Sequence, residues 1–309
     1  MRCATAGRRG GFTLIETLVV LGVLATLVGL LLPAVQQVRG AAVQSRCTNN
    51  LRQVGLALHA IHDRRGQFPP GFRFLDESEP YLFQSWQAAL LPYLEQWALW
   101  EATQRAYEVS PIDPYQNPPH VGYSTVVRVL TCPADGRLAH SQPAEKTGRT
   151  IGLTSYLGAS GVDLGTYDGT LFVDSRVRLT DITDGSSQTL LAGERPPPAD
   201  REYGSWYSGA GQVLAPMATG SADCVLGARE RNVGLPALPA THCPEGPYHF
   251  GPGTLGRRCD VFHFWSMHAG GANFLFGDGS VHFLRYSADG LLPALASRAG
   301  GEAVFAFDE

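Results

Sequence analysis

The sequence predicts an α+β protein, with helices in the first third of the chain and short strands in the rest. A helical pattern of apolar residues runs from residue 12 to about residue 63, and a second helix is expected over residues 85–107. From residue 121 onward, short β-branched and aromatic segments alternate with glycine and proline turns. A hydrophobic content of 44% against 17% charged residues is typical of an ordered chain.

The first half of the long helix has the length and the composition of a membrane span. Only four of the 21 residues 12–32 are polar, and at about 1.5 Å per residue the segment matches the hydrocarbon core of a bilayer. Three arginines and no acidic residue precede it. Short basic flanks stay in the cytoplasm, so the N-terminus is expected inside and everything after Pro33 outside.

The second half of the helix is expected to be amphipathic. Apolar residues recur at near-helical spacing from residue 35 to residue 61, and the glycine and prolines of residues 66–71 end the pattern. His59 and His62 lie on the last turns. They either interact with the helix dipole, which is the interpretation we favour, or form a metal pair with Asp63.

The later elements are short. Strands are predicted at residues 124–130, 155–157, 170–173 and 189–192. Two apolar segments flank Asp278–Gly279, which is the pattern of a β-hairpin with a type I′ turn. Residues 196–260 show no clear periodicity and are expected to form long loops. Residues 288–296 are expected to form a short terminal helix.

Five of the six cysteines follow the apolar segment, where an oxidising compartment favours disulfides. A Cys47–Cys132 bond would join the helix to the globular part and close a loop of about 85 residues, which loop entropy values at roughly 4 kcal/mol at most. Cys243 and Cys259 flank one proline- and glycine-rich excursion and are the second candidate pair. Cys224 would then be free or bonded to another molecule. The sequence alone does not determine this connectivity.

A charged residue interrupts the apolar run near its start. A carboxylate there costs roughly 2.5–3.5 kcal/mol if it is central and unpaired. Glu16 therefore either lies near the interface, where it snorkels or is protonated, or has a cationic partner in the membrane. An ordinary signal peptide is disfavoured, because its apolar region is normally ~7–15 residues long and ends at a small-residue cleavage site. An uncleaved anchor is the other alternative.

The segment around Glu16 resembles the N-terminus of bacterial type IV prepilins and pseudopilins. The resemblance rests on Gly11, Phe12, Thr13, Leu14 and Glu16, which match the G-F-T-L-x-E motif. It implies that a prepilin peptidase cuts after Gly11 and that the new N-terminal Phe12 is methylated. It also implies that Glu16 pairs with the N-terminal amine of a neighbouring subunit during assembly.

A second motif narrows the resemblance. His268 is followed by nine residues and then Asp278–Gly279, the C-terminal signature of a bacterial family of prepilin-like exported proteins called domain of unknown function 1559. Further matching blocks begin at Cys47, Leu91, Cys132, Asp181 and Gly193. The chain is similar to that family nearly end to end. The similarity implies a pilin-like fold with the long helix packed on an antiparallel sheet, and it implies no reaction.

Calcium is the metal candidate, and no other cofactor is expected. Exported domains bind calcium with oxygen ligands from loops, and Asp181, Asp184 and Asp278 are the candidate ligands, although the chain lacks a twelve-residue EF-hand loop. A zinc site from Cys243, Cys259 and nearby histidines is disfavoured against a disulfide.

Two catalytic interpretations are also disfavoured. A hydrolase triad of His268 and Asp278 with a serine lacks a G-x-S-x-G elbow, and the turn explains Asp278 better. Glu194 and Arg195 are expected to form a buried ion pair rather than a catalytic acid.

These observations together predict a leader at 1–11, a membrane-spanning half-helix at 12–33 and an extracytoplasmic domain at 34–309. The leading functional hypothesis is a structural or assembly subunit of a pilus-like fibre or a type II secretion pseudopilus. It would be anchored in the bacterial inner membrane, reach the cell surface after assembly, and have a prepilin peptidase and other pilin-like subunits as partners. The alternative is a membrane-tethered binding or sensing domain without a fibre role. No enzymatic activity is expected.

Removing the leader's three arginines takes the formal charge from −4 to −7, which argues against binding nucleic acid.

Overall fold

A 52-residue helix, α1 (Leu14–Arg65), begins the part of the chain that the computed structural model describes, namely residues 13–74, 81–214, 217–234 and 243–302. The helix ends two residues beyond the predicted point. Gly66 follows it with a φ of +74°, and its N–H donates to the carbonyl of His62 at 2.7 Å. A left-handed glycine after the last turn satisfies a carbonyl that would otherwise have no partner, which explains why the helix stops there.

The chain divides into two units, Met1–Val43 and Gln44–Glu309. In the first unit the described residues are helical, and the large apolar side chains from Leu14 to Val38 are each at least half exposed. The helix includes a segment of mean hydropathy 2.7 that is long and apolar enough to cross a membrane. Such a segment is compatible with a membrane anchor or with a signal sequence.

The second unit contains the remaining part of α1 and a five-stranded sheet. One face of α1 is buried there at the spacing expected for an amphipathic helix. Its buried residues are Cys47, Leu51, Val54, Gly55, Ala57, Leu58 and Ile61. The central strands are β3 (Tyr156–Gly161), β4 (Leu190–Glu194), β7 (Val225–Gly227), β8 (Gly271–Phe276) and β9 (Val281–Arg285).

The strand order is β7-β3-β4-β8-β9, and the sheet is mixed rather than purely antiparallel. The β3–β4, β4–β8 and β8–β9 pairs are antiparallel, whereas β3 and β7 are parallel. Parallel neighbours need a long connection, and the loop-rich segment between β4 and β7 provides it. This architecture confirms the α+β prediction and is consistent with a pilin-like fold.

Strand β8 has different neighbours on its two faces. Phe274 and Phe276 belong to a core that also includes Leu292 and Leu295 of a short C-terminal helix, α4 (Leu292–Ala296). On the other face, a Cβ added to Gly55 of α1 would lie only 2.8 Å from Leu275 Cδ1. The β8 residues are buried throughout, so the strand is the layer between α1 and the aromatic core.

Three predictions for local structure were wrong. The helix expected over residues 85–107 is divided into α2 (Trp86–Ala89), a 3₁₀ turn and α3 (Trp97–Val109). Pro92 lies in the 3₁₀ turn, and Glu95 takes a left-handed φ of +59°, which separates the helices. The segment 124–130, expected to be a strand, begins on the last residue of the 3₁₀ turn Val121–Ser124 and ends in the 3₁₀ turn Arg128–Leu130. The segment 170–173 makes one isolated bridge, at Val173, rather than a strand.

The other elements agree more closely with expectation. The predicted hairpin around Asp278–Gly279 is β8–β9, but its turn is not type I′, because only Gly279 of the two central residues has a positive φ. The Gly279 N–H donates to the Phe276 carbonyl at 2.9 Å, and three residues form the loop. The predicted terminal helix is a 3₁₀ turn followed by α4. Residues 196–260 are mostly loop among the described positions. The remaining short strands are β1 (Gln142–Pro143), β2 (Thr150–Ile151), β5 (Val213–Leu214) and β6 (Met217–Ala218).

We expect Gly279→Ala to lower the free energy of unfolding by roughly 1–2 kcal/mol, because Gly279 has a φ of +85° that a Cβ disfavours. Space is not the cause, since the nearest atom to an added Cβ is His59 Nε2 at 3.5 Å. Denaturant unfolding of the full chain in detergent measures the change. The free energy of unfolding should fall less in Gly279→Asn than in Gly279→Ala. It should not change in Gly136→Ala, where the backbone is unstrained and no atom lies near an added Cβ. Equal losses in all three variants would contradict this explanation.

Candidate functional site

The start of α1 contains a capping box that the sequence analysis did not identify. The Glu16 carboxylate accepts the Thr13 N–H at 2.8 Å and the Thr13 hydroxyl at 2.9 Å, and Glu16 N–H donates back to Thr13 Oγ1 at 3.3 Å. A T-x-x-E pattern at a helix start produces this reciprocal arrangement. Glu16 therefore has a local structural role, whatever else it does. Gly11 and Phe12, the predicted processing positions, lie outside the described residues.

Both predicted disulfides are confirmed. Cys47 is bonded to Cys132, and Cys243 to Cys259. The second bond uses the sulfurs that the disfavoured zinc site would have needed. Cys224 is free and fully buried, and burial raises the pKa of its thiol well above the ordinary value. A buried neutral thiol is a poor nucleophile.

His268, the histidine of the C-terminal motif, lies against the first disulfide and a buried carboxylate. Its Nε2 is 3.4 Å from Cys132 Sγ and 3.5 Å from Glu194 Oε1. The other carboxylate oxygen, Oε2, accepts the backbone N–H of Asn273 at 2.8 Å and its side-chain amide at 3.1 Å. A buried carboxylate needs partners of this kind, because desolvation costs several kcal/mol.

The other end of the motif contacts α1 farther along. Asp278 Oδ1 accepts the Ser280 N–H at 2.8 Å and so stabilises the turn. Gly279 Cα lies 3.6 Å from where a Cβ on Gly55 would be, and the same turn approaches His59. His268 and the Asp278–Gly279 turn are thus placed near two points of α1, Cys47 and Gly55, that are about 12 Å apart along the helix. The motif positions the hairpin on the helix.

The hydrolase triad gains no support from this geometry. His268 pairs with Glu194, while the Asp278 carboxylate accepts the N–H of Ser280 within the turn. The expected Glu194–Arg195 ion pair is wrong. Adjacent strand residues point to opposite faces of a sheet, and Arg195 donates to the carbonyl of Ala222 at 2.8 Å instead.

The three candidate calcium ligands each bind a backbone N–H. Asp181 accepts from Arg178, and Asp184 accepts from Gly300 and Gly301. Within the described ranges the three carboxylates do not form a cluster of potential metal ligands. The calcium hypothesis stays a prediction.

The histidines at the end of α1 pack on an aromatic ring. The rings of His59 and His62 lie 5.9 Å and 5.1 Å from that of Phe68, and His62 Nε2 accepts the Leu179 N–H at 3.1 Å. An occupied Nε2 favours a structural role over a metal pair for His62.

Arg195 and Asp223 form a second buried charged region, which no local sequence pattern indicates. Asp223 accepts the N–H groups of Gly204 at 2.7 Å and Ser205 at 3.0 Å. Burial raises the pKa of Asp223 to about 6, although these hydrogen bonds and the nearby Arg195 guanidinium act in the opposite direction. Burial also lowers the pKa of Arg195 to about 10.

A groove of about 770 Å³ lies beside the Cys47–Cys132 bond. Polar residues of α1 and of the segment around Cys132 line it, among them Arg46, Asn49, Gln53 and Arg128. Both arginines are exposed. The groove can therefore contact a small anionic molecule through two guanidinium groups and several amides.

One comparison with known proteins identifies the family. A family model described as a protein of unknown function, DUF1559, matches residues 36–291. The chain belongs to the DUF1559 family. The match includes both disulfides, Glu194 and the whole His268–Gly279 motif, and its description assigns no activity. No curated protein and no solved structure matches this DUF1559 chain.

The pKa of Asp223 predicts a pH dependence of stability. Folding raises this pKa from 3.8 to about 6, so between these values the folded chain binds more protons than the unfolded chain. The contribution of Asp223 to the free energy of unfolding must then fall as pH rises from about 4 to about 6. The total decrease is on the order of 3 kcal/mol, and the contribution stays constant above about pH 6. We expect this slope in the difference between the unfolding free energies of the parent and Asp223→Asn. A flat difference across that range would contradict the shifted pKa.

Proposed function

We propose that this DUF1559 protein is a prepilin-like exported protein, anchored in the bacterial inner membrane, that acts as a structural or assembly subunit of a pilus-like fibre or a pseudopilus. The observation that carries the proposal is the beginning of α1. Glu16 is the single charged residue among residues 13–38, and it is placed at the start of an exposed apolar helix. An exposed helix of this composition needs lipid or other apolar helices around it.

Processing and partners follow from the same segment. A prepilin peptidase would cut between Gly11 and Phe12, leaving the N-terminus on the cytoplasmic side and the unit that begins at Gln44 outside. Other pilin-like subunits would pack against the exposed apolar helix. The Glu16 carboxylate would then approach the N-terminal amine of a neighbour, which offsets the cost of a carboxylate in lipid. The proposal includes no enzymatic activity and no nucleic acid.

The capping box allows a sharp test of Glu16. Glu16→Gln keeps the cap, because glutamine also serves at this position of a capping box, but it removes the charge. We expect Glu16→Gln and Glu16→Ala to abolish incorporation into sheared surface fibres while membrane insertion is unchanged. Thr13→Ala, which removes the cap and keeps the charge, should still assemble. Quantitative immunoblots of sheared and membrane fractions measure both outcomes.

Two results would count against the fibre role. One is a Glu16→Gln protein that enters surface fractions as well as the parent. The other is loss of assembly in Thr13→Ala alone, which would assign the effect to helix capping. Thr26→Ala, which removes a polar side chain from the same apolar segment, is the control for membrane insertion.

N-terminal sequencing of the membrane-bound protein should begin at methylated Phe12, and an intact Met1 would remove the prepilin interpretation.

A second candidate function is a membrane-tethered binding domain, and the groove beside the Cys47–Cys132 bond favours it. Its two exposed arginines, Arg46 and Arg128, suit a small carboxylate ligand. A binding domain would need the membrane segment only as a tether.

Citrate is a suitable probe of the groove. We expect citrate to bind the full chain in detergent, and Arg46→Ala or Arg128→Ala to weaken binding about tenfold, the effect of one charge-assisted hydrogen bond. The control is Arg105→Ala, because Arg105 lies on α3 and pairs with Glu101 at 3.8 Å. Calorimetric titration at two salt concentrations measures the change. Equal affinity in all four proteins, or no binding, would leave the groove without this role.

A further inference from the structure

Four metal-ligating side chains meet at one point of the second unit. Sulfur, nitrogen and oxygen atoms of Cys47, Cys132, Glu194 and His268 all lie within 4.8 Å of one another. The cluster is the one group of three or more such ligands found in the part of the chain that the structure describes. Cys47 is fully buried, and the side chains of Glu194 and His268 are 1% and 7% exposed.

The distances suit a tetrahedral ion. His268 Nε2 lies 3.4 Å from Cys132 Sγ and 3.5 Å from Glu194 Oε1. With Zn–S bonds of about 2.3 Å and Zn–N or Zn–O bonds of about 2.0–2.1 Å, the edges of a tetrahedron between such ligands measure roughly 3.3–3.6 Å. The two sulfurs, bonded to each other, are too close to serve as separate ligands. Breaking that bond lets them separate.

A buried oxygen atom that accepts no hydrogen bond points to the same ligand. Glu194 Oε1 is buried and has no hydrogen-bond partner, although Oε2 of the same carboxylate accepts two hydrogen bonds. Buried carboxylate oxygens are normally satisfied, so one aimed at a histidine and two sulfurs requires an explanation. A cation between Glu194, His268 and the sulfurs supplies one.

We infer that reduction of the Cys47–Cys132 bond creates a zinc site of two thiolates, His268 Nε2 and Glu194 Oε1. A dithiol reductant breaks the S–S bond and becomes a disulfide, and its two electrons and two protons pass to Cys47 and Cys132. Zn²⁺ then displaces both thiol protons to solvent. In the oxidised form the sulfurs are not thiolates and only two ligands remain, so metal binding and the disulfide exclude each other.

Cobalt is the spectroscopic probe. The full chain is used in detergent, with Cys243 and Cys259 both changed to Ser so that one disulfide remains. It is reduced by a phosphine in the absence of air. The phosphine is oxidised to the phosphine oxide and adds no thiolate that could bind the metal. We expect one equivalent of Co²⁺ to give thiolate charge-transfer bands and the strong ligand-field bands of a tetrahedral ion. Zn²⁺ should abolish them, and the oxidised chain should show none.

Single changes test the two non-sulfur ligands. Glu194→Gln and His268→Ala should each lower Zn²⁺ affinity more than about tenfold, the loss that changes outside the ligand shell already cause. His282→Ala, a histidine of the same hairpin, should leave it unchanged. Cys47→Ser/Cys132→Ser retains Cys3 and Cys224 and should give no bands. Circular dichroism of the oxidised variants checks their folding. If one of Glu194→Gln and His268→Ala does not fold, the other alone tests the site.

Two results would overturn the assignment. The first is the absence of charge-transfer bands from the reduced chain. The second is unchanged bands and affinity in both Glu194→Gln and His268→Ala, which would mean that the thiolates bind metal without this geometry. The inference does not depend on the fibre or tether role, because it concerns residues of the second unit alone.

Discussion

The second unit depends on how one half of α1 is held against strand β8. The helix has a narrow buried face, and Gly55 allows β8 to approach so closely that a methyl group would collide with Leu275. At the other end of this contact, the Cys47–Cys132 bond attaches the helix covalently to the loop before β3. Close packing of this face, together with the covalent bond, limits sliding of the helix on the sheet.

The two ends of the His268–Gly279 segment have separate physical roles in this contact. The turn needs aspartate to accept a backbone N–H and glycine to take a positive φ. The histidine has a different role, since its Nε2 lies 3.5 Å from a buried carboxylate oxygen on the neighbouring strand. Strand β8 lies between these two ends. The number of residues between the histidine and the turn is therefore set by the length of the strand that packs along α1. A motif of this kind positions elements and need not carry out a reaction.

Charge burial is unusually concentrated around β4. Glu194 at the end of the strand and Arg195 after it direct their side chains to separate partners, His268 in one case and the Asp223 region in the other. Each buried group is acceptable only because backbone N–H groups or carbonyls surround it. Both buried charged regions therefore lie at the end of β4, the central strand of the sheet, and the first disulfide is close to the one that contains Glu194.

Patterns local in the sequence determined the long helix, the hairpin around Asp278–Gly279 and the candidate disulfides. Helix periodicity, a glycine turn between apolar segments and paired cysteines each leave a signature within a short segment or in a count. The type of turn was not determined, because Asp278 does not have the positive φ of a type I′ turn. The strand expected at 124–130 failed because its backbone groups found partners in 3₁₀ turns, which composition does not reveal. The capping box of Thr13 and Glu16 also has a local sequence pattern, T-x-x-E. Only the tertiary structure decided that Glu194 faces His268 and that Asp223 is buried near Arg195. These pairings join segments tens of residues apart, and strand register, which no local pattern specifies, brings them together.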